Sequence, residues 1–175
     1  MKRLAGWLWQ VLFTHVACRR EPDFIIGGRD NPYVLRWWLL GGMPDPARPG
    51  KLMSRNFLGV RPYLHCFMRS DDDRAHHDHP AASISLCLSG GVSEETILAG
   101  GILHRRAIGA GSIRFRSAKF AHRLEVEPGV YCWTLFIFCP GQRNWGFHCQ
   151  QQGWVPWQKF TNPADSGMVG PGCEQ

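Results

Sequence analysis

No Cys-x-x-Cys pair occurs among the seven cysteines, Cys18, Cys66, Cys87, Cys132, Cys139, Cys149 and Cys173, which argues against a zinc site of closely spaced thiolates. Several of them lie in apolar runs such as Leu86-Cys87-Leu88 and Tyr131 to Phe138. They read as buried free thiols of a cytoplasmic protein. Charge is scarce as well, at 19% of residues, and the formal excess of +6 is scattered along the chain instead of collected in a basic block. That dispersal gives no footing for specific nucleic-acid binding and fits a solvated surface, or a pocket that receives an anion. No segment of 20 to 50 residues repeats, so a propeller or solenoid is not expected. Nor is there an apolar run fit to cross a bilayer. The N-terminal stretch is broken by Gln10, Thr14 and His15, is followed by Arg19-Arg20, and lacks a small-x-small cleavage pattern. It reads as an amphipathic helix packed on the domain or on a partner.

What the chain has in quantity is aromatic residues, with 8 Trp and 10 Phe, together with 20 Gly and 12 Pro spread along 175 residues. This pattern suits many short strands joined by tight turns, in a domain large enough to bury a core. The expected division is an N-terminal helix over 1–20, a β-barrel domain over 21–161 and an irregular tail over 162–175. Strands are read at Val34 to Leu40, Tyr63 to Arg69, Ser83 to Leu88, Val92 to Leu98 and Ile102 to Ile108. Further strands follow at Ser112 to Phe115, Phe120 to Val126, Tyr131 to Phe138, Trp145 to Cys149 and Val155 to Phe160, with Gly or Pro-Gly between most of them. The three prolines of Met43 to Gly50 deny that loop a ladder, and Asp71 to Asp73 read as a polar turn. Evenly spaced short strands of this kind indicate an antiparallel barrel or jelly roll.

The chemistry concentrates at Arg74 to Gly91, where His76, His77, Asp78 and His79 are consecutive. In extended backbone His77 and His79 project from one face and His76 and Asp78 from the other. Two imidazoles on one face can share a metal ion if a third ligand arrives from elsewhere. His122 is a candidate, because Leu124 and Val126 share its face of the next strand and draw it inward. His65 is the preferred inward residue of its strand. Ser83 and Ser85 continue the alternation of the histidine pair as ring-orienting candidates, and Arg114 and Arg116 are available for an anionic group. Glu94 and Glu95 are expected at the surface.

His77-Asp78-His79 followed by Gly90 or Gly91, and Gly111 followed by a strand and His122, resemble the two sequence motifs of the cupin superfamily. The likeness covers about Tyr63 to Phe138. It implies an all-β fold, a cupin-like double-stranded β-helix (jelly-roll barrel) preceded by the N-terminal helix. The first motif's Glu falls near Ser83 or Ile84, which carry no carboxylate, and the PxG step is replaced by Ser117-Ala118-Lys119. What remains is a set of three histidines, His77, His79 and His122, similar to the iron centre of cysteine-dioxygenase-type cupins. The resemblance implies one divalent metal, Fe(II) by preference with Zn, Ni, Mn or Cu as alternatives, and oxygen-dependent oxidation of a small thiol-like or anionic substrate. A homodimer is also expected by that resemblance. Two other readings stand beside it. One is a 2-oxoglutarate-dependent oxygenase built on His76, Asp78 and His122, the other a non-catalytic cupin-like ligand-binding or structural module.

Overall fold

A computed structural model of the chain describes residues 1–71, 75–141, 143–162 and 170–174. The acidic turn read at Asp71 to Asp73 and the tail from 162 onward therefore lie partly outside the described residues.

Alternating inward and outward side chains, interrupted by glycines, give two six-stranded antiparallel sheets. The first holds β1 (Phe24–Ile26), β2 (Val34–Trp38), β5 (Arg61–Phe67), β12 (Cys132–Phe138), β7 (Ser83–Ser89) and β10 (Ile113–Arg116), in the order β1-β2-β5-β12-β7-β10. The second holds β14 (Gly153–Pro156), β13 (Gly146–Cys149), β6 (His76–His77), β11 (His122–Glu125), β8 (Gly91–Ile97) and β9 (Leu103–Gly109), in that spatial order. Sequence neighbours β7 and β8 lie in different sheets, and the turn between them is made by Gly90. Its φ is 71°, and a Cβ there would lie 2.0 Å from the Tyr131 carbonyl oxygen, so both conformation and space require glycine.

The space between the sheets is filled by the inward rows: Cys87, Val92, Ile108, Leu124, Val126 and Cys132 at one end, and Trp38, Tyr63 and Phe136 at the other. The outer face of the first sheet is covered by α1 (Lys2–Leu12) and the π-helical turn Phe13–Ala17. Leu8, Trp9, Leu12 and Val16 recur at helical spacing and pack on Trp37, Leu64 and Leu88 of the sheet. The helix expected at the N-terminus is thus packed on the barrel. No helix among the described residues is long and apolar enough to cross a membrane.

Three expectations are corrected. The stretch read as a strand over Val155 to Phe160 is the end of β14 followed by one helical turn, α2 (Trp157–Phe160). There the Thr161 amide bonds the Trp157 carbonyl and Phe160 stacks on Phe147 with centroids 3.5 Å apart. The proline-rich loop does carry a ladder: β3 (Gly42–Pro44) pairs with β4 (Leu52–Ser54), its lone proline sitting at the strand end where no amide is required. The thiols are not all free, because Cys149 on β13 is bonded to Cys173. Sequence separation hides this pairing, whereas Cys18, Cys66, Cys87, Cys132 and Cys139 are free as expected.

Candidate metal centre

His77 ends the two-residue strand β6, which lies between β11 and β13 with His77 opposite both His122 and Phe147. His79 follows in irregular backbone, its amide held by the Ala118 carbonyl at 3.0 Å. His122 opens β11. The three rings form a near-equilateral group, with centroids 5.2 Å (77 to 79), 4.9 Å (77 to 122) and 5.0 Å (79 to 122) apart. One nitrogen of each lies within 4.8 Å of the other two, and the Nε2 atoms of His79 and His122 are 2.8 Å apart.

The orientation of His122 is set by Glu94, whose Oε1 lies 2.7 Å from His122 Nδ1. Glu94 is fully buried on β8. It also accepts from Arg116 Nε at 2.6 Å and Arg106 Nε at 2.7 Å, and Arg116 Nη1 donates to Ser85 Oγ at 2.8 Å. Burial alone would raise the Glu94 carboxyl, but the His122 hydrogen bond and the Arg116 guanidinium outweigh it and hold the group well below the usual carboxylate range. Ionised Glu94 accepts, so His122 Nδ1 is the protonated ring atom and Nε2 presents its lone pair toward His79. Burial pulls the pKa of His122 down to about 3 and that of His79 well below its ordinary value. Both rings are therefore neutral, the form in which imidazole binds a metal.

The donor set fits a divalent ion. Two nitrogens at about 2.0–2.1 Å from a metal and at right angles to each other are about 3 Å apart, close to the His79–His122 separation. Imidazole suits iron, zinc, nickel and copper, and Glu94 supplies the carboxylate-to-histidine contact that commonly orients such a ligand. Glu94 is a correction to the sequence reading. Val92 and Thr96 flank it at a spacing of two, and that alternation was the available signal for an inward carboxylate.

The cluster opens on a cavity of about 110 Å³ between the sheets. His65, Ser85 and Arg116 line it together with the three histidines. Ser83 is fully buried on the same inward row, while Arg114 is half-buried on edge strand β10 and bonds the Ile113 carbonyl. Arg36 lines the cavity too, although the sequence reading did not single it out. The rival set does not assemble. His76 faces away from the cavity, with Nε2 3.4 Å from Glu95 Oε1, and is buried. Asp78 Oδ1 accepts from the Gly146 amide at 2.8 Å and pairs with Arg143 at 3.0 Å, and Oδ2 accepts from Trp154 Nε1 at 3.2 Å. Among the described residues, His77, His79 and His122 are the group whose ligand atoms converge.

No protein-family model matches the sequence, and no curated protein matches it. Solved structures do. A recombinant oxalate oxidase in complex with glycolate superposes with a TM-score of 0.50 at 16% identity, over 83% of this chain and 66% of that one. Hydroxypropylphosphonic acid epoxidase from S. wedmorenis gives 0.44 at 14% identity, over 69% of this chain and 58% of the other. A cupin superfamily protein from Desulfitobacterium hafniense gives 0.43 at 13%, over 66% and 84%. The chain thus spans about two thirds or less of the first two proteins, and the likeness is one of fold. This chain folds as a two-sheet antiparallel jelly roll, the fold it shares with that oxalate oxidase, and at the heart of the barrel three histidines from two separate segments meet.

Proposed function

We propose that His77, His79 and His122 hold one divalent metal ion, with Fe(II) preferred, and that the protein oxidises a small thiol-like or anionic molecule with oxygen. The observation that carries this reading is the convergence of three imidazoles on a cavity between the sheets, one of them oriented by a buried carboxylate. A divalent ion at such a site supplies Lewis-acid chemistry and, if it is iron, oxygen activation. The chain's own residues do the rest. Glu94 keeps the His122 proton on Nδ1, Arg116 fixes Glu94, and Phe136 and Phe138 narrow the cavity and limit water. The Asp78 alternative has little to support it, since both carboxylate oxygens are engaged elsewhere.

Exposed Ile113 and Phe115 on edge strand β10 support a homodimer. The five free cysteines favour a cytoplasmic placement, while the Cys149–Cys173 bond favours an oxidising compartment.

Metal analysis of the purified protein beside His77→Ala and His122→Ala tests the site. The expected result is near-stoichiometric metal in the parent and its loss in both variants; equal, negligible metal in all three removes the proposal. Oxygen uptake by the iron-loaded protein over a panel of small thiols and carboxylates then tests the reaction. A non-catalytic binding module would consume no oxygen with any of them.

A further inference from the structure

Acidic residues are spread unevenly over the fold. None of the 14 Asp and Glu falls in α1, in the π-helical turn or in the six strands of the first sheet. The outer face of that sheet, with α1 across it, is therefore built from elements without a carboxylate. Cations stand at both ends of the helical segment, with Lys2 and Arg3 exposed at its start and Arg19 exposed just beyond it. The acids nearest in sequence, Glu21 and Asp23, follow the segment, and Asp23 is taken up by Arg20 and the Trp38 amide.

The helix is apolar on two sides. Leu8, Trp9 and Leu12 pack on the sheet, whereas Leu4 and Trp7, three apart and so neighbours on the helix surface, are exposed, Trp7 over 58% of its area. Beyond the helix the sheet continues this apolar surface. Leu86 of β7 packs in the cluster under the helix, and Ile84, two residues away, shares its face. Their cross-strand partners on β10 are Ile113 and Phe115. Ile84, Ile113 and Phe115 are all exposed, the last over 67% of its area.

Exposed Trp and Leu flanked by Lys and Arg, with no acid among them, match a bilayer interface, where indole sits at headgroup depth and anionic lipid attracts the cations. At 11 residues α1 is about 16 Å long, about half the hydrocarbon thickness, so it can lie in the interface but not cross it. A second copy is a poorer occupant of this face. Two acid-free cationic surfaces have no carboxylates with which to neutralise one another. Edge-to-edge pairing of two copies through β10 would leave the face open. We propose that the outer face of the first sheet docks on the surface of an anionic lipid bilayer, with α1 in the headgroup plane and Leu4 and Trp7 inserted.

The test is co-sedimentation of the full-length protein with vesicles of phosphatidylcholine alone and of phosphatidylcholine mixed with phosphatidylserine. Binding to the anionic vesicles is expected to be about tenfold or more tighter than to the neutral ones and to weaken as salt is raised. Leu4→Ser/Trp7→Ser, which keeps every charge, should lose about tenfold or more in affinity. Lys2→Gln/Arg3→Gln should lose about fivefold for each charge removed. Absence of binding by the parent, or equal binding to both vesicles, overturns the proposal, and that comparison decides the matter even if a variant fails to fold. A folded Leu4→Ser/Trp7→Ser that binds anionic vesicles as the parent does also overturns it, because net charge alone would then account for the attraction. Sedimentation velocity without lipid gives the last outcome. A parent that self-associates and is dissociated by Leu4→Ser/Trp7→Ser would assign the face to a second copy and overturn the bilayer.

Discussion

At the scale of single residues, Glu94 and Glu95 show how far adjacent carboxylates can diverge. They are neighbours on β8, and strand alternation sends Glu94 into the barrel and Glu95 to the other face, where Arg105 pairs with it near solvent. Glu94→Gln would strip Arg116, which is 4% exposed, of its charge partner and should cost about 3–5 kcal/mol of stability by chemical denaturation. Metal affinity should fall about 10- to 100-fold, because His122 loses its orienting carboxylate. Glu95→Gln breaks a pair whose arginine is largely exposed and should cost far less than Glu94→Gln. Equal effects of the two changes would contradict the assignment of Glu94. Alternation in the sequence signals that one of the two faces inward, but the partner that makes a buried carboxylate tolerable is non-local. Arg116 lies on β10 of the opposite sheet, and nothing near Glu94 in the chain announces an ion partner.

At the scale of elements, the strands were legible wherever glycine or proline punctuates an alternating run. The inward direction of His77 and His122 followed from the same alternation. His79 has a different origin. It lies beyond the end of β6, so its approach to the cluster comes from the loop, held by the Ala118 carbonyl, and not from strand geometry. What escaped the sequence reading needed contact information. The β3–β4 hairpin uses its proline only at an end, the α2 turn is fixed by the Phe147–Phe160 stack, and Arg36 comes from β2, outside the stretch that resembles known motifs. A test at this scale is the β7–β8 turn. Gly90→Ala forces a Cβ against the Tyr131 carbonyl at a positive φ and should destabilise by about 1–3 kcal/mol. Gly109→Ala, where a Cβ meets nothing within 4 Å, is the matched control and should stay within about 0.5 kcal/mol. Urea unfolding of the two variants beside the parent measures both.

At the scale of the whole molecule, the cavity belongs to neither sheet alone. The first contributes Arg36, His65 and Ser85, and the second contributes His77 and His122. Anything that loosens one sheet against the other should act on the site as a unit. The Cys149–Cys173 bond ties the C-terminal segment to β13 across 24 residues, a loop whose closure is worth about 3 kcal/mol in the chain-entropy view. Cys173→Ser, or reduction of the parent, should therefore lower the melting temperature measurably. An unchanged melt under reducing conditions would show that this bond contributes nothing.

The short strand β6 has a consequence of its own. At two residues it has no hairpin of its own and takes its position from β11 on one side and β13 on the other. A fragment cut after Pro140 would keep every histidine of the cluster, Glu94 and both cavity arginines, yet leave His77 with a single neighbouring strand. Aim at the cluster is thus inherited from a C-terminal hairpin that donates no ligand. Anyone trimming this protein to a minimal core, or transplanting its histidines to another barrel, would discard the sighting mechanism along with the apparent surplus.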